Sequence, residues 1–289
     1  MAKNKNMNHL RSFLDVEDYI RYNIAEVYSD NRDAGGNIRY WRERTDSSKW
    51  RWVLYDLDLG LGNNEPSGYK RNTLDKFTRA NAEAWPDPSW STFIIRKLLS
   101  NKEVEHQYIN TFADHLNTIY HPDTALRLLD KMEATIDAEM NFHQKRWGSS
   151  YKNWKHHVGI LETFVKQRPF YVRKHIMQKF NLKDTVNIAI IHPGNNICDV
   201  QFSSLKLEQN YTGIYFKNVP ITITVKPAHD YEFIGWKDGS TEGVKRTVNP
   251  QDDLVLEPMI APKKRGFFAD SIVMNEISFY QTDSDSSGD

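Results

Sequence analysis

Hydrophobic and polar positions divide the chain into two regions of different period. Residues 10–183 carry apolar side chains at helical spacing, for example Ile20, Ile24 and Val27, which fall on one helix face. Residues 184–262 alternate large and polar side chains over short stretches bounded by turn residues, which is typical of strands. The pattern therefore predicts the α+β class, with a mostly helical lobe followed by a small all-β domain.

The helical region has readable start and stop signals. Asp15, followed three residues later by Asp18, resembles a capping box with Asp in place of Glu, and predicts the start of the first helix. Pro169 lacks an amide proton, so we expect it to kink or break the last helix. Four further helices are predicted at 93–100, 104–120, 122–147 and about 153–180.

The β region is expected to contain six strands. Turn signals at 194–196 and 238–239 separate the alternating stretches. Residues 263–289 are interpreted as a linker and the start of a further domain. The predicted strands are 186–191, 198–207, 213–216, 220–226, 231–236 and 253–257.

A hairpin inside the helical region leads into an acidic loop. Ile38–Trp41 is short and aromatic, Thr45–Ser48 supplies a turn, and Trp50–Tyr55 reads as a strand. This second strand runs directly into Asp56–Gly62, where Asp-x-Asp-x-Gly is followed by a second glycine. The two glycines would let the backbone turn sharply beyond the acidic pair.

Asp56 and Asp58 are the main candidates for chemistry. Alternate side chains of an extended strand share a face, so two carboxylates would repel each other unless a cation lay between them. Mg²⁺ prefers one or two carboxylates together with phosphate oxygens. A calcium loop would supply further oxygens at the next positions, which Leu59 and Leu61 do not. On the residues alone, a metal site and a capped turn fit this pattern equally well.

Asp33 and Asn37 lie on the loop that precedes the hairpin, and the hairpin would bring this loop back toward Asp56. Phosphoryl transfer needs a carboxylate that orients a hydroxyl and an amide that helps to hold a metal. Asp33 is therefore the candidate catalytic residue, and Asn37, Asp56 and Asp58 are the candidate metal ligands. Adjacent His156 and His157 cannot share a helix face, so they make a poor metal pair.

Composition and charge exclude several classes. The 38 basic residues balance the 38 acidic ones, so there is no basic excess that would indicate a nucleic-acid partner. The single cysteine, Cys198, excludes a disulfide within the chain. No apolar run is long enough to span a membrane, and the first eight residues do not resemble a signal peptide. No glycine-rich phosphate loop is present.

Several stretches together resemble the CotH (spore coat protein H) kinase family, over roughly residues 10–182. The resemblance implies an atypical kinase-like fold that transfers phosphate from ATP to a protein Ser/Thr hydroxyl with Mg²⁺ or another divalent cation. The stretches that carry it are Asp15–Ile20, Asn31–Asp33, Asn37–Arg42, Lys49–Gly62, Trp90–Phe93, Phe112–Asn117 and Gln167–Arg173.

The resemblance assigns roles by position. Asp33 resembles the catalytic-loop Asp and Asn37 the metal-binding Asn, while either Asp56 or Asp58 resembles the metal-binding Asp. The chain departs from the family where Asp-Trp-Pro is usual, because it has Ala34 and Gly35 after Asp33 in a loop one residue shorter. The β-rich lobe that supplies the family's phosphate-binding basic residues is not found before the first helix. We therefore expect a C-terminal portion that has little activity alone.

The later parts resemble modules of bacterial surface proteins. Tyr231–Trp236, followed by Asp238 and Gly239, is similar to the internalin-type B repeat, and Ile272–Ile277 is similar to the first strand of a lamin-tail domain. These resemblances imply an exported, multidomain protein at a bacterial cell surface. They also leave open the alternative of a non-catalytic surface scaffold or adhesion protein whose kinase-like lobe is degenerate.

Overall fold

The computed structural model describes residues 2–63, 65–80 and 88–264. Among these residues the chain forms seven α-helices, and a short 3₁₀ helix at Gly68–Lys70 precedes the third of them. The helices are α1 Ala2–Phe13, α2 Val16–Ser29, α3 Thr73–Phe77, α4 Phe93–Leu98, α5 Lys102–Asn117, α6 Pro122–Arg146 and α7 Tyr151–Phe180.

The strands form four small sheets, which confirms the α+β class. β1 and β2 make the predicted hairpin, and the remaining strands form sheets in the orders β10-β3-β6, β11-β8 and β5-β4-β7-β9. Only the β10–β3 pair is parallel among these described pairings. The strands are β1 Tyr40–Trp41, β2 Arg51–Trp52, β3 Thr185–Ile190, β4 Cys198–Phe202, β5 Leu205–Leu207, β6 Tyr211–Phe216, β7 Ile221–Pro227, β8 Tyr231–Trp236, β9 Lys245–Val248, β10 Leu254–Leu256 and β11 Pro258–Pro262.

The predicted start of α2 is confirmed by its cap. The Asp15 carboxylate accepts a hydrogen bond from the amide of Asp18 at 3.1 Å, which satisfies one of the free N–H groups of the first turn. Ten of the fourteen residues of α2 are buried. This helix therefore runs through the middle of the helical region and can position loops at both of its ends.

Pro169 does not break α7, so that part of the prediction is wrong. The helix continues from Tyr151 to Phe180 with the proline inside it. Phe164, Val172 and Ile176 are buried on both sides of the proline. Their packing offsets the missing backbone hydrogen bond, because most helix stability in proteins comes from tertiary contacts rather than local preference.

The helical and β regions share one continuous hydrophobic cluster. At their contact the buried carboxylate of Asp114 on α5 accepts hydrogen bonds from the amide and hydroxyl of Ser204 and from the hydroxyl of Tyr215, at 2.9, 2.6 and 2.7 Å. Asn110 donates to the carbonyl of Pro220 at 2.8 Å. The β region therefore packs directly on α5. The boundaries at 183 and 262 stay predictions.

Asn117, at the end of α5, pairs with a strand as another strand would. Its side-chain amide donates to the carbonyl of Ile214 at 3.0 Å and accepts from the amide of Ile214 at 3.1 Å. Gly213 makes this approach possible, because a Cβ there would lie 2.7 Å from the Asn117 amide nitrogen. Asn117 thus satisfies the backbone of β6, a strand at the edge of its sheet.

No helix in the described part of the chain is long and apolar enough to cross a membrane. The predicted linker and lamin-tail-like start, 263–289, lie outside the described residues except for Lys263 and Lys264.

Candidate active site

Helix α2 positions the hairpin at its N-terminal end. The amide of Trp52 donates to the carboxylate of Asp18 at 2.9 Å, and the guanidinium of Arg51 donates to the capping carboxylate of Asp15 at 2.9 Å. The backbone of Trp50 exchanges hydrogen bonds with Phe13 and Asp15 at 2.8 and 3.0 Å. The Asp15 carboxylate therefore both caps α2 and holds the strand that leads into the acidic loop, and the Asp18 carboxylate holds the same strand.

The other end of α2 opens into the loop that carries Asp33. Asp30 ends the helix in the left-handed region, with φ 54° and ψ 42°. The amide nitrogen of Asn37 donates to a carboxylate oxygen of Asp33 at 2.7 Å, and the backbone amide of Asn37 donates to the Asp33 carbonyl at 3.2 Å. Two of the predicted site residues are therefore in direct contact, and both are half-buried.

Asn31 connects this loop to the acidic loop after the hairpin. Its side-chain oxygen accepts from the Asp33 amide at 3.1 Å. Its side-chain nitrogen donates to the carboxylate of Glu26 at 2.8 Å and to the carbonyl of Asp56 at 3.3 Å. One buried amide therefore contacts the backbone of Asp33 and of Asp56, and it also contacts the side chain of Glu26 on α2.

Asp56 lies in an unusual backbone conformation among other carboxylates. Its φ of 58° is in the left-handed region, which side chains with a Cβ seldom adopt. The pKa of Asp56 is raised, first because it hydrogen-bonds with Asp58, then by partial desolvation and by repulsion from the carboxylates of Asp58 and Asp33. Both Asp56 and Asp58 are exposed. The hairpin therefore brings the three predicted carboxylates near each other.

Beyond Asp58 the acidic loop packs closely on the end of α2. The amide of Leu61 donates to the carbonyl of Ser29 at 2.7 Å, and a Cβ on Gly60 would lie 2.9 Å from that same oxygen. Gly62 has a φ of 85°, as the sequence led us to expect for a sharp turn. Glycine at 60 serves a different purpose, because it allows two backbones to touch.

Arg168 on α7 is hydrogen-bonded to the C-terminal end of α2. Its fully buried guanidinium makes six hydrogen bonds, one to the hydroxyl of Thr73 and five to backbone carbonyls of residues 27, 28, 68, 69 and 71. Burial lowers its pKa to about 10, opposed by the nearby Asp30. Among the described residues the salt-bridge partner of Asp30 is Arg71, at 3.4 Å, and not Arg168.

The donor set fits a divalent cation of the kind the resemblance implies. Asp56 and Asp58 present two crowded carboxylates, whose repulsion a cation would relieve. Asn37 uses its nitrogen for Asp33, which leaves its oxygen for a metal. Within the described residues no group of three or more His, Cys, Asp and Glu side chains is arranged to hold a metal ion. Two carboxylates with an amide still suit Mg²⁺, which takes further ligands from water and phosphate.

Sequence reasoning missed the buried residues behind the site. Asn31 lies 25 positions before its contact Asp56, and Arg168 lies 140 positions after its contact Tyr28, so only packing reveals these contacts and that of Glu26 with Asn31. Two weak signals were present, namely an Asn two residues before Asp33 and a Glu between the apolar residues Ala25 and Val27. His156 and His157 are exposed and belong to no metal-binding group of the described residues.

The described residues form an α+β chain in which helix α2 holds the loop of Asp33 and the acidic loop of Asp56 and Asp58. The family described as CotH kinase protein matches residues 2–172, more than half of the chain. The chain therefore belongs to the CotH kinase family. The match begins earlier than the resemblance we saw from residue 10, because it includes α1, and it ends inside α7. Neither the search of curated proteins nor the search of solved structures found a match.

Proposed function

We propose that the protein transfers phosphate from ATP to a Ser or Thr hydroxyl of a protein substrate. In this proposal Asp33 orients the accepting hydroxyl, and Asn37, Asp56 and Asp58 hold the divalent cation. The single observation that carries it is the convergence of these four side chains from two loops, in a member of the CotH kinase family.

The arrangement suits the separate tasks of the reaction. Asp33 is half-buried, and its contact with Asn37 limits how its carboxylate can rotate, so it can present one oxygen to a hydroxyl. Asp56 and Asp58 are exposed and can meet a nucleotide from the solvent side. A bound Mg²⁺ would neutralise the charge on the phosphate oxygens.

Metal binding gives the first test. We expect wild-type protein to bind Mn²⁺, followed by its paramagnetic signal, and the double variant Asp56→Asn, Asp58→Asn to bind at least about tenfold more weakly because both carboxylates are lost. Asp199→Asn, which removes an exposed carboxylate of β4, is the matched control and should bind as wild type. Equal Mn²⁺ affinity in all three proteins would contradict the assignment of the ligands.

Phosphate transfer from ATP gives the second test. We expect Asp33→Asn to bind Mn²⁺ normally but to lose transfer from ATP by at least about a hundredfold, as for a residue that acts on the accepting hydroxyl. Unchanged transfer in this variant, or in the double variant at 56 and 58, would argue against catalysis at these residues.

The alternative is a non-catalytic scaffold at a bacterial surface. It is favoured by the departure from the family pattern at Asp33-Ala34-Gly35 and by the β region that follows the helical region. We extend the proposal to an exported, cell-surface protein whose residues 184–262 act as an internalin-B-repeat-like module. Protease accessibility on intact cells tests this location. Substrate phosphorylation that stays intact in cells whose only copy of the protein is the double variant would not depend on this site, and would favour the scaffold.

A further inference from the structure

We propose that Asn31 is a positioning residue that sets the distance between the catalytic loop and the metal-binding loop, with Glu26 as its anchor on α2. This inference rests on the proposed function, because it assumes that Asp33 and Asp56 act together. It adds two buried residues that touch neither cation nor substrate and act through the backbone of those that do.

The first support is the number of groups that one side chain holds. Both ends of the Asn31 amide are used, the oxygen by the Asp33 N–H at 3.1 Å and the nitrogen by Glu26 and by the Asp56 carbonyl at 2.8 and 3.3 Å. Asn31 is 2% exposed, so water does not replace these bonds. The two loops are thus joined through a single planar group about 25 positions away from Asp56 in sequence.

The second support is that the direction of the amide is fixed. A backbone carbonyl only accepts hydrogen bonds, so the carbonyl of Asp56 requires the nitrogen of Asn31 on its side, which is also the side of Glu26. The oxygen must then face the Asp33 N–H, which only donates. Glu26 is fully buried and is also hydrogen-bonded to Tyr22. If the Asn31 amide were flipped, its nitrogen would face the Asp33 N–H and its oxygen would face the Asp56 carbonyl. Both buried hydrogen bonds would be lost, which would lower the stability of the fold.

The third support is the backbone of Asp56. A left-handed φ of 58° at a non-glycine residue persists only where its surroundings hold it. The Asn31 nitrogen holds the carbonyl of Asp56, and the Ser29 carbonyl holds the loop again at the Leu61 amide, at 2.7 Å. Loss of Asn31 would release the first of these restraints at the residue that faces Asp58.

The experiment compares two buried asparagines of the same region. Asn31→Ala removes the bridge, and Asn23→Ala removes a buried hydrogen bond of similar length, 2.9 Å to Tyr108, that is not part of it. Glu26→Gln keeps an acceptor for Asn31 and serves as the conservative variant. Mn²⁺ affinity is measured for each, and hydrogen exchange is measured without metal in the segments around Asp33 and Asp56.

We expect Asn31→Ala to weaken Mn²⁺ binding by about tenfold to a hundredfold, as outer-shell changes do, and to speed exchange in both segments. Asn23→Ala should lower the unfolding midpoint without either effect, and Glu26→Gln should bind within about threefold of wild type. If Asn31→Ala matches Asn23→Ala in both readouts, Asn31 is only structural and the inference is overturned. If wild type binds no Mn²⁺, the proposed function fails instead.

Discussion

At the residue scale, the most heavily bonded side chain of the site is Arg168, which the sequence alone did not single out as a carbonyl donor. It joins α7 to the end of α2 and to the segment around Gly68. A planar guanidinium can serve several carbonyls at once, and an ammonium group cannot reproduce that geometry. Arg168 therefore supports the loop of Asp33 without being near the reacting groups itself.

Replacement of Arg168 should be among the most damaging single changes. Arg168→Met would leave five backbone carbonyls without this donor and Asp30 with one less nearby cation, so we expect a loss of about 3 kcal/mol or more in the free energy of unfolding. Urea denaturation measures it. Arg79→Met, which removes an exposed ion pair with Asp75, is the control and should cost less than about 1 kcal/mol.

His115 makes stability depend on pH. Burial, then the nearby Arg21, lowers its pKa to about 4, and its Nδ1 is buried without a partner among the described residues. An unfolded His has a pKa of about 6.5, so the unfolded chain takes up a proton first as the pH falls, and stability decreases from about pH 6.5 to about pH 4. His175, also lowered to about 4, adds to this loss.

We expect His115→Gln to reduce that loss by about 1–2 kcal/mol, a value discounted for the partial exposure of the ring. Urea denaturation at pH 7 and pH 4.5 gives the difference for each protein. His157→Gln, at an exposed position of α7, is the control and should lose as much stability as wild type. If His115→Gln loses as much free energy of unfolding between pH 7 and pH 4.5 as wild type, His115 is not held neutral in the fold.

At the element scale, the helices of about four to eight turns were predictable because their apolar period and caps are local. α5, α6 and α7 begin or end within two or three residues of the predicted positions. α1 was missed because its sequence is polar, and its partly buried Met7 and Leu10 find apolar partners only in the fold. The continuation of α7 through Pro169 likewise depends on packing that no local signal contains.

Strands β9 and β11 were not predicted, for the same reason: they depend on contacts that no local signal contains. β9 has one apolar residue in four, and β11 begins and ends with proline, so neither has a clear alternation. They form because β7 and β8 offer them backbone partners. The hairpin was predictable from its turn and aromatic strands, and so was the approach of Asp33 to Asp56. The bridge through Asn31 was not, since it requires the end of α2 to be placed first.

Helix α6 should be the least protected of the long helices. None of its 25 residues is buried, whereas nine of the sixteen residues of α5 are. It is held mainly by α7, through a hydrogen bond from Tyr151 to Asp137 and an ion pair between Lys155 and Glu133. We expect backbone amides of α6 to exchange with deuterium well before those of α5, because few buried contacts oppose local opening.

Mass spectrometry of peptides from the two helices measures that difference. Equal protection in α6 and α5 would show that α6 is covered by a partner or by another part of the chain. The exposed apolar side chains of Leu128, Met132 and Ile136 lie on α6 at four-residue spacing, and they are the positions at which such a cover would be seen first.

At the scale of the whole molecule, the contact through Asp114 makes the helical and β regions energetically dependent on each other. Asp114→Ala removes three hydrogen bonds to Ser204 and Tyr215 at once, so we expect a loss of about 3 kcal/mol in the free energy of unfolding. The two regions should then unfold at separate midpoints, followed by near-ultraviolet and far-ultraviolet circular dichroism.

The matched control is Asp199→Ala, which removes an exposed carboxylate paired with Lys206 at 3.5 Å in the same β region. It should change stability by less than about 0.5 kcal/mol and keep a single transition. A single, unshifted transition in Asp114→Ala would mean that the shared hydrophobic cluster alone couples the two regions.

The pairing of Asn117 with β6 has a consequence for any attempt to produce the β region by itself. A side chain from a helix occupies backbone groups of Ile214 that a neighbouring strand could otherwise use. Residues 184–262, once separated from α5, would offer that row of amides and carbonyls to another molecule, and open rows of this kind recruit identical chains. The helical region therefore prevents β6 from pairing with other copies of the chain. Residues 184–262 alone should precipitate more readily than the intact chain.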